Sequence, residues 1–293
     1  MQTIQTRERS AIERHLRRDV FLHLYEIGDL DEFFWPFTTW FAGVGDPPEA
    51  GDTGAGRTDQ EALELRHLAL LYTATSLPVL LFLTRDAGSE AGDRAVDSAA
   101  AWLGALRSEL PARFYAHLSP GLEEALRPSA ELEPHGPHLK MALTRPKLDV
   151  AGADRAVRLG PGDRAELEAF YRTAYPGNWF DPRMLETGQY FGVREEGRGR
   201  TPGSAGGLAA VAGVHVYAPA QGVAALGNIA TLPACRGRGL ARAVTARLCA
   251  TLLENVAHVG LNVHARNAAA IACYEGLGFE TIAEYGEFLV TRG

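Results

Sequence analysis

Two hydrophobic rhythms run along this chain, one with the spacing of helices and one of short, nearly continuous apolar runs. Residues 4–18 are highly charged and read as a helix. Residues 19–42 are crowded with aromatics (Phe21, Tyr25, Phe33, Phe34, Trp35, Phe37, Trp40 and Phe41), which predicts a short helix and then a strand, with the rings as core. A Gly/Pro/Asp stretch, Gly43–Asp59, reads as a loop. Apolar runs at Leu68–Thr73 and Val79–Leu83 predict strands. Asp86–Asp93 reads as a loop, Ala95–Leu110 as a helix, Arg113–Leu118 as a strand, Pro120–Leu126 as a short helix and His138–Leu143 as a strand. This alternation points to an α/β layer structure.

A break follows near Arg145–Gly152, so the pattern divides the chain into an α/β domain over residues 1–148 and a second domain over 153–293. Arg155–Leu159 opens the second with a strand. Asp163, with Glu166 three positions on, has the form of a capping box, and the helix it starts runs to about Tyr171. Tyr175–Pro182 is a loop and Met184–Thr187 a helical turn. Strands are expected at Tyr190–Arg194, Gly207–Tyr217 and Ala224–Thr231, with Glu195–Ala205 a Gly-rich hairpin loop. Leu240, Val244, Leu248 and Leu252 recur at helical spacing and make one apolar stripe. Val259–Ala265 is a strand. Ile271, Tyr274 and Leu277 then share one helix face, and Gly278 is placed as a stop. Glu280–Tyr285 reads as a last strand, with Phe288–Thr291 its continuation or partner.

Composition narrows the functional classes. The chain has 293 residues, 46% hydrophobic and 22% charged, the profile of a folded globular protein. A net charge of −7 without a Lys/Arg run argues against nucleic-acid binding. The segment Met1–Arg18 lacks the apolar core of a signal peptide. The greasiest stretch, Leu68–Leu83, is interrupted by Thr73, Thr75, Ser76 and Pro78 and is too short to span a bilayer. The 3 cysteines, Cys235, Cys249 and Cys273, form no disulfide framework, which fits a reducing cytoplasm. No Cys/His spacing suggests a metal site. Cys235 reads as a small loop residue.

Chemistry concentrates in Asn228–Val244. A strand ends at Thr231, Pro233 stops it, and Arg236-Gly-Arg-Gly-Leu-Ala241 opens a helix. A helix N-terminus presents unpaired N–H groups and a positive dipole end. Gly237, Gly239 and Ala241 let a pyrophosphate approach those donors, and Arg236, Arg238 and Arg242 add positive charge. The segment suits a phosphorylated cofactor. A dinucleotide fingerprint would need a third glycine where Arg242 stands, and a Walker loop would need Gly-Lys-Ser/Thr.

Two motifs in order resemble those of the GNAT superfamily of N-acetyltransferases. The first is Arg/Gln-x-x-Gly-x-Gly/Ala, met by Arg236, Gly239 and Ala241. The second is Asn-x-x-Ala/Ser-x-x-x-Tyr-x-x-x-Gly-Phe, met by Asn267, Ala270, Tyr274, Gly278 and Phe279. The resemblance covers about Asp154 to Gly293. It implies a mixed, mostly antiparallel sheet flanked by helices. The first half carries no motif of the family, but its α/β rhythm looks similar to the degenerate GNAT half found ahead of the active domain in some two-half relatives, including glycine N-acyltransferase-like proteins.

The resemblance implies an acyltransferase that moves acetyl from acetyl-CoA to a primary amine of a small molecule or peptide, by direct attack and without a metal. Ile229, Ala230 and Thr231 would pair with the pantetheine arm, Arg236, Gly237, Arg238, Gly239, Leu240 and Ala241 would hold the pyrophosphate, and Asn267 would bond the arm or cap the last helix. Strands 224–231 and 261–265 would splay apart around the thioester. Tyr274 would protonate the leaving thiolate, or is a core tyrosine on the Ile271/Leu277 face. The carboxylate that family members often place on the strand before the loop is missing. The base is then a water, one held by Asn228, or His215 or His264. Tyr175, Trp179 and Phe180 would meet the acceptor, or pack a domain interface. A non-catalytic CoA-binding scaffold and a transferase of longer acyl chains are the alternatives.

Overall fold

A computed structural model describes residues 1–45, 65–84, 90–195 and 206–292, with the side chains of 90–95 excepted. The chain divides into two compact units, Met1–Leu139 with Ala283–Gly293, and Lys140–Ile282. The change of unit at Leu139/Lys140 precedes the break read at Arg145–Gly152, and the last residues return to the first unit.

In the first unit, β1 (Gln2–Thr6), β2 (Thr38–Val44), β3 (Leu65–Tyr72) and β4 (Val79–Phe82) run antiparallel to one another in sequence order. Strand β5 (Arg113–Leu118) then pairs parallel with β4 over its whole length, Val79 with Tyr115 to Phe82 with Leu118. Helices α1 (Arg9–Leu16) and α2 (Leu24–Gly28) lie between β1 and β2, and α3 (Glu90–Leu106) between β4 and β5. Strand β6 (Ala130–Leu143) follows β5. The core joins Phe41, Leu71, Leu80, Phe82, Trp102, Leu103, Phe114 and Val290. Half of the eight aromatics of residues 19–42 are buried (Phe34, Trp35, Trp40 and Phe41), and Phe21, Tyr25, Phe33 and Phe37 are half-buried.

The second unit repeats this order. Strand β7 (Val157–Leu159) precedes α4 (Arg164–Ala174) and a helical turn, Pro182–Thr187. Strands β8 (Tyr190–Arg194), β9 (Leu208–Ala218) and β10 (Val223–Thr231) continue antiparallel. Helix α5 (Leu240–Leu252) leads to β11 (His258–His264), which pairs parallel with β10, and α6 (Ala268–Leu277) leads to β12 (Phe279–Arg292). Residues Gly286–Thr291 of β12 pair antiparallel with β5 in the first unit. Strands β9 and β10 are almost wholly buried, with α4 and α5 packed on them, so they read as continuous apolar runs instead of alternating ones. Each unit is thus three antiparallel connections followed by one parallel crossover through a helix.

The structure departs from the sequence reading in three places. Residues 4–18 are not one helix, because Gln2–Thr6 forms an edge strand whose polar residues pair with β2 before α1 starts. Asp163 does not cap α4 through its side chain. Its carboxylate turns back to accept from Gly160 N–H at 2.9 Å, and Glu166 reaches across to Arg194 at 2.6 Å and to Leu208 N–H at 3.2 Å. Glu280–Tyr285 and Phe288–Thr291 are one continuous strand. The loops read at Gly43–Asp59 and Glu195–Ala205 lie largely outside the described residues. Part of the one read at Asp86–Asp93 does too, and its remainder is the start of α3.

Candidate active site

Strands β10 and β11 pair from Val223/His258 to Leu226/Leu261 and then stop. Both continue, β10 to Thr231 and β11 to His264. From Gly227 onward the edge of β10 that faced β11 is therefore open. The cause is local. The ladder with β9 shifts register between Gly227 and Ala230, so Asn228 and Ile229 form a bulge, and Asn228 takes φ +55°, the one non-glycine residue with positive φ among those described. Bulges twist and bend a strand away from its neighbour. Beyond the parting, Thr231 Oγ1 on β10 and Asn262 Oδ1 on β11 are buried without a hydrogen-bond partner among the described residues.

The bulge is pinned from below. Asn228 Nδ2 donates to Tyr190 Oη at 3.1 Å, its Oδ1 accepts from Asn178 at 3.3 Å, and its carbonyl accepts from Tyr171 Oη at 2.8 Å. Tyr190 in turn donates to Val214 O at 3.2 Å. Burial pushes both phenols well above their ordinary range, so they remain donors. Asn228 is 5% exposed, and its amide bonds both Tyr190 and Asn178.

At the end of β10 a turn, Pro233–Cys235, feeds Gly237 and Gly239, with φ +74° and +75°. An added Cβ at either would meet nothing within 4 Å. Gly239 starts α5 with no side-chain cap, and the first helical bond is that of Ala243 N–H to Gly239 O. The N–H groups from Gly237 to Arg242 therefore have no partner among the described residues, which makes a cradle for an anion. The three arginines differ. Arg236 leans on Thr231 O at 3.4 Å, Arg242 donates to Gly276 O at 3.0 Å, and Arg238 is paired with Glu195 at the end of β8. Glu195 also accepts from Cys235 Sγ at 3.3 Å. Sequence spacing gave no sign of Glu195.

Helix α6 places Tyr274 in a buried position, 8% exposed, beside Phe279. Burial pushes its hydroxyl up, with Cys273 and Tyr175 nearby adding to the effect. The hydroxyl makes no hydrogen bond among the described residues. Asn267 caps α6, its Oδ1 accepting from Ala270 N–H at 3.2 Å. His264 Nδ1 accepts from Arg266 N–H at 3.0 Å, which fits a turn-holding role.

Tyr175 and Trp179 are about half exposed, whereas Phe180 packs between Tyr171 and Tyr190 with ring centroids 5.1 and 5.8 Å away. Phe180 is half-buried in this packing. His215 on β9 lies over Gly227, and burial lowers its pKa to about 4 against the opposing pull of Asp181. Asp181 itself is gripped by Arg183 at 2.6–3.1 Å. Burial alone would raise its carboxyl, but Arg183 and His215 hold it below the usual carboxylate range. Among the described residues no three His, Cys, Asp or Glu side chains are grouped to hold a metal, and no helix is long and apolar enough to cross a membrane.

Residues 162–279, which contain the bulge, the glycine cradle and α6, match the model of the Acetyltransferase (GNAT) family. This segment is a GNAT domain. Solved structures show how far the GNAT fold extends along the chain. An acetyltransferase of the GNAT family from Novosphingobium aromaticivorans has TM-score 0.51 and 23% identity, covering 77% of this chain and 88% of its own. A GCN5-related N-acetyltransferase from Sphaerobacter thermophilus has TM-score 0.51 and 15% identity, covering 99% and 96%. A GNAT-family acetyltransferase from Colwellia psychrerythraea has TM-score 0.50 and 13% identity, covering the whole of both chains. At such identities the likeness is one of fold. No curated protein is significantly similar in sequence. The domain sits in a mixed, mostly antiparallel two-half architecture.

Proposed function

We propose that the second unit binds acetyl-CoA between β10 and β11 and transfers its acetyl group to a primary amine. The observation that carries this reading is the parting of β10 from β11 directly before a glycine cradle of unused N–H groups. The residues fit the donor in kind. The N–H groups of Gly237–Arg242 suit a pyrophosphate, with Arg236 beside them. The open edge of β10 at Ile229–Thr231 offers backbone groups to the amides of a pantetheine arm, and Thr231 Oγ1 and Asn262 Oδ1 are buried polar atoms that lack a partner among the described residues.

The donor supplies an acyl group activated as a thioester. The chain's own residues would do the rest. Tyr274, kept protonated by burial, gives its proton to the departing sulfur. His215, neutral above about pH 4, is the histidine of the two candidates whose ring is not turned to a backbone turn, and it or a water takes the amine's proton. Tyr175 and Trp179, the exposed aromatics of the loop between α4 and β8, offer faces to the acceptor, which suits an amine that arrives as a cation.

Titration of acetyl-CoA by calorimetry into the wild type and an Arg236→Glu/Gly239→Glu double variant tests the donor site. Binding to the wild type that the double variant loses supports it. No binding to the wild type overturns the acetyl-CoA reading. Binding without acetylation of any amine in a library would favour a CoA-binding scaffold, a role that the absence of a carboxylate on β10 also fits.

A further inference from the structure

The donor loop carries its own counter-ion. Arg238 stands in the cradle of N–H groups at the start of α5, and its guanidinium is in contact with Glu195. Glu195 is fixed by the sheet: it follows β8 directly, and its N–H donates to Gly207 O at 3.1 Å across the β8–β9 connection. Its two oxygens are divided between Arg238 and the buried Cys235 thiol at the preceding turn. One carboxylate on the sheet therefore ties down both sides of the loop. The Cys235 bond and the Arg238 charge draw the Glu195 carboxyl below the usual carboxylate range, so it is an anion at neutral pH.

Resting on the donor-site reading above, we infer that Glu195 is a specificity-determining residue: it occupies Arg238 until a multiply charged donor displaces it, and so excludes simple anions from the loop. The pair is not a stability device, because Arg238 is 54% and Glu195 34% exposed, and such pairs contribute little. Its effect lies in competition. A tethered carboxylate acts at an effective concentration of roughly millimolar or more. A free phosphate ion must overcome that with contacts to the loop alone. A pyrophosphate with an attached pantetheine arm gains further contacts along β10, and an Arg has five N–H donors with which to change partner. A cradle without this carboxylate would be open to a simple phosphate as well.

The test uses the full chain and measures acetyl-CoA affinity by calorimetry, with and without millimolar inorganic phosphate. Glu195→Gln, close in shape, should bind acetyl-CoA several-fold more tightly than the wild type and should become sensitive to phosphate competition, to which the wild type is indifferent. Arg238→Gln should weaken binding, and Glu195→Gln added to it should change nothing further, since the carboxylate acts through Arg238. Weaker or unchanged binding in Glu195→Gln, or an equal effect of Glu195→Gln in the Arg238→Gln background, overturns the inference while leaving the donor site standing. Failure of the wild type to bind acetyl-CoA removes the donor site itself, a different result.

Discussion

The imidazole of His215 lies where a side chain at Gly227 would stand: an ideal Cβ there falls 2.1 Å from the ring's Cδ2. The ring crosses from β9 to cover β10 at the residue where the latter leaves β11, and the missing Cβ is what allows it. Gly227→Ala must push the ring aside or move β10. Overpacking of this kind costs about 1–3 kcal/mol. A lowered Tm together with weakened acetyl-CoA binding is expected, because the bulge at Asn228 begins at the next residue. A Tm and affinity equal to the wild type would show that the close approach has no part in shaping the gap.

The same burial makes His215 a probe of pH. Its pKa is lowered to about 4 from the ordinary 6.5, so the folded state prefers the neutral ring. As pH falls below 6.5 the unfolded chain takes up the proton first. The contribution of His215 to stability is complete above 6.5 and is lost as pH falls toward 4. His15, whose Nδ1–H donates to Leu65 O at 2.9 Å, shifts in the same direction for the same reason, and buried Asp29, raised by burial and by Glu26, acts oppositely. The informative quantity is therefore a difference. Thermal unfolding of His215→Gln and wild type from pH 7 to 4.5 should show a shallower loss of stability in the variant. Parallel curves would mean that His215 titrates normally in the folded protein.

Tyr274 separates chemistry from folding. Its ring lies beside Phe279, with centroids 5.8 Å apart, and its hydroxyl makes no hydrogen bond among the described residues. Tyr274→Phe retains the ring, so Tm and acetyl-CoA affinity should stay near wild type. If the hydroxyl protonates the leaving sulfur, kcat should fall on the order of 10²–10⁴-fold once an acceptor is in hand. The raised Tyr274 pKa also means that the wild-type rate should not decline through pH 9 from loss of this proton. An unchanged kcat in the variant would leave Tyr274 as a core residue.

What could be read in advance follows the range of the interactions. The cradle was legible because a helix start, two glycines and a small residue within one turn define it with no help from the rest of the chain. Asn267 and Gly278 were legible as cap and stop for the same reason. Long-range choices were not. Asp163 and Glu166 have the spacing of a capping box, but Arg194 on β8 competes for Glu166 and wins. Glu195 and Asp181 matter through partners that folding brings close, and no spacing announces them. Strand β1 escaped because Gln2–Thr6 lies at an edge and has no apolar run to reveal it. The first unit shows a related case: the segment after β4 and into α3 reads Arg85-Asp-Ala-Gly-Ser-Glu90, which keeps an arginine and a glycine at the spacing of Arg236 and Gly239 but sets a glutamate where Ala241 stands in the second.

The two glycines near the end of α6 should respond oppositely to the same substitution. Gly278 has φ +95°, and an added Cβ would fall 1.7 Å from the carbonyl oxygen of Arg145. That contact is built in: Arg145 N–H donates to Gly278 O at 3.1 Å and Lys147 N–H to Leu277 O at 2.9 Å, which clips residues 145–147 onto the helix end. Gly278→Ala combines a left-handed backbone with a clash against main chain, so a loss of at least about 1–3 kcal/mol is expected, with Tm falling accordingly. Gly276 lies inside α6, and its added Cβ would meet the Arg242 guanidinium at an ordinary 3.6 Å. Alanine there relieves the entropic cost of a helical glycine, a gain of up to about 1 kcal/mol. Thermal melts of the two variants beside the wild type decide the matter. A stabilised Gly278→Ala would mean that the Arg145 segment is not held against α6, and a strongly destabilised Gly276→Ala would mean that the Arg242–Gly276 contact tolerates no adjustment.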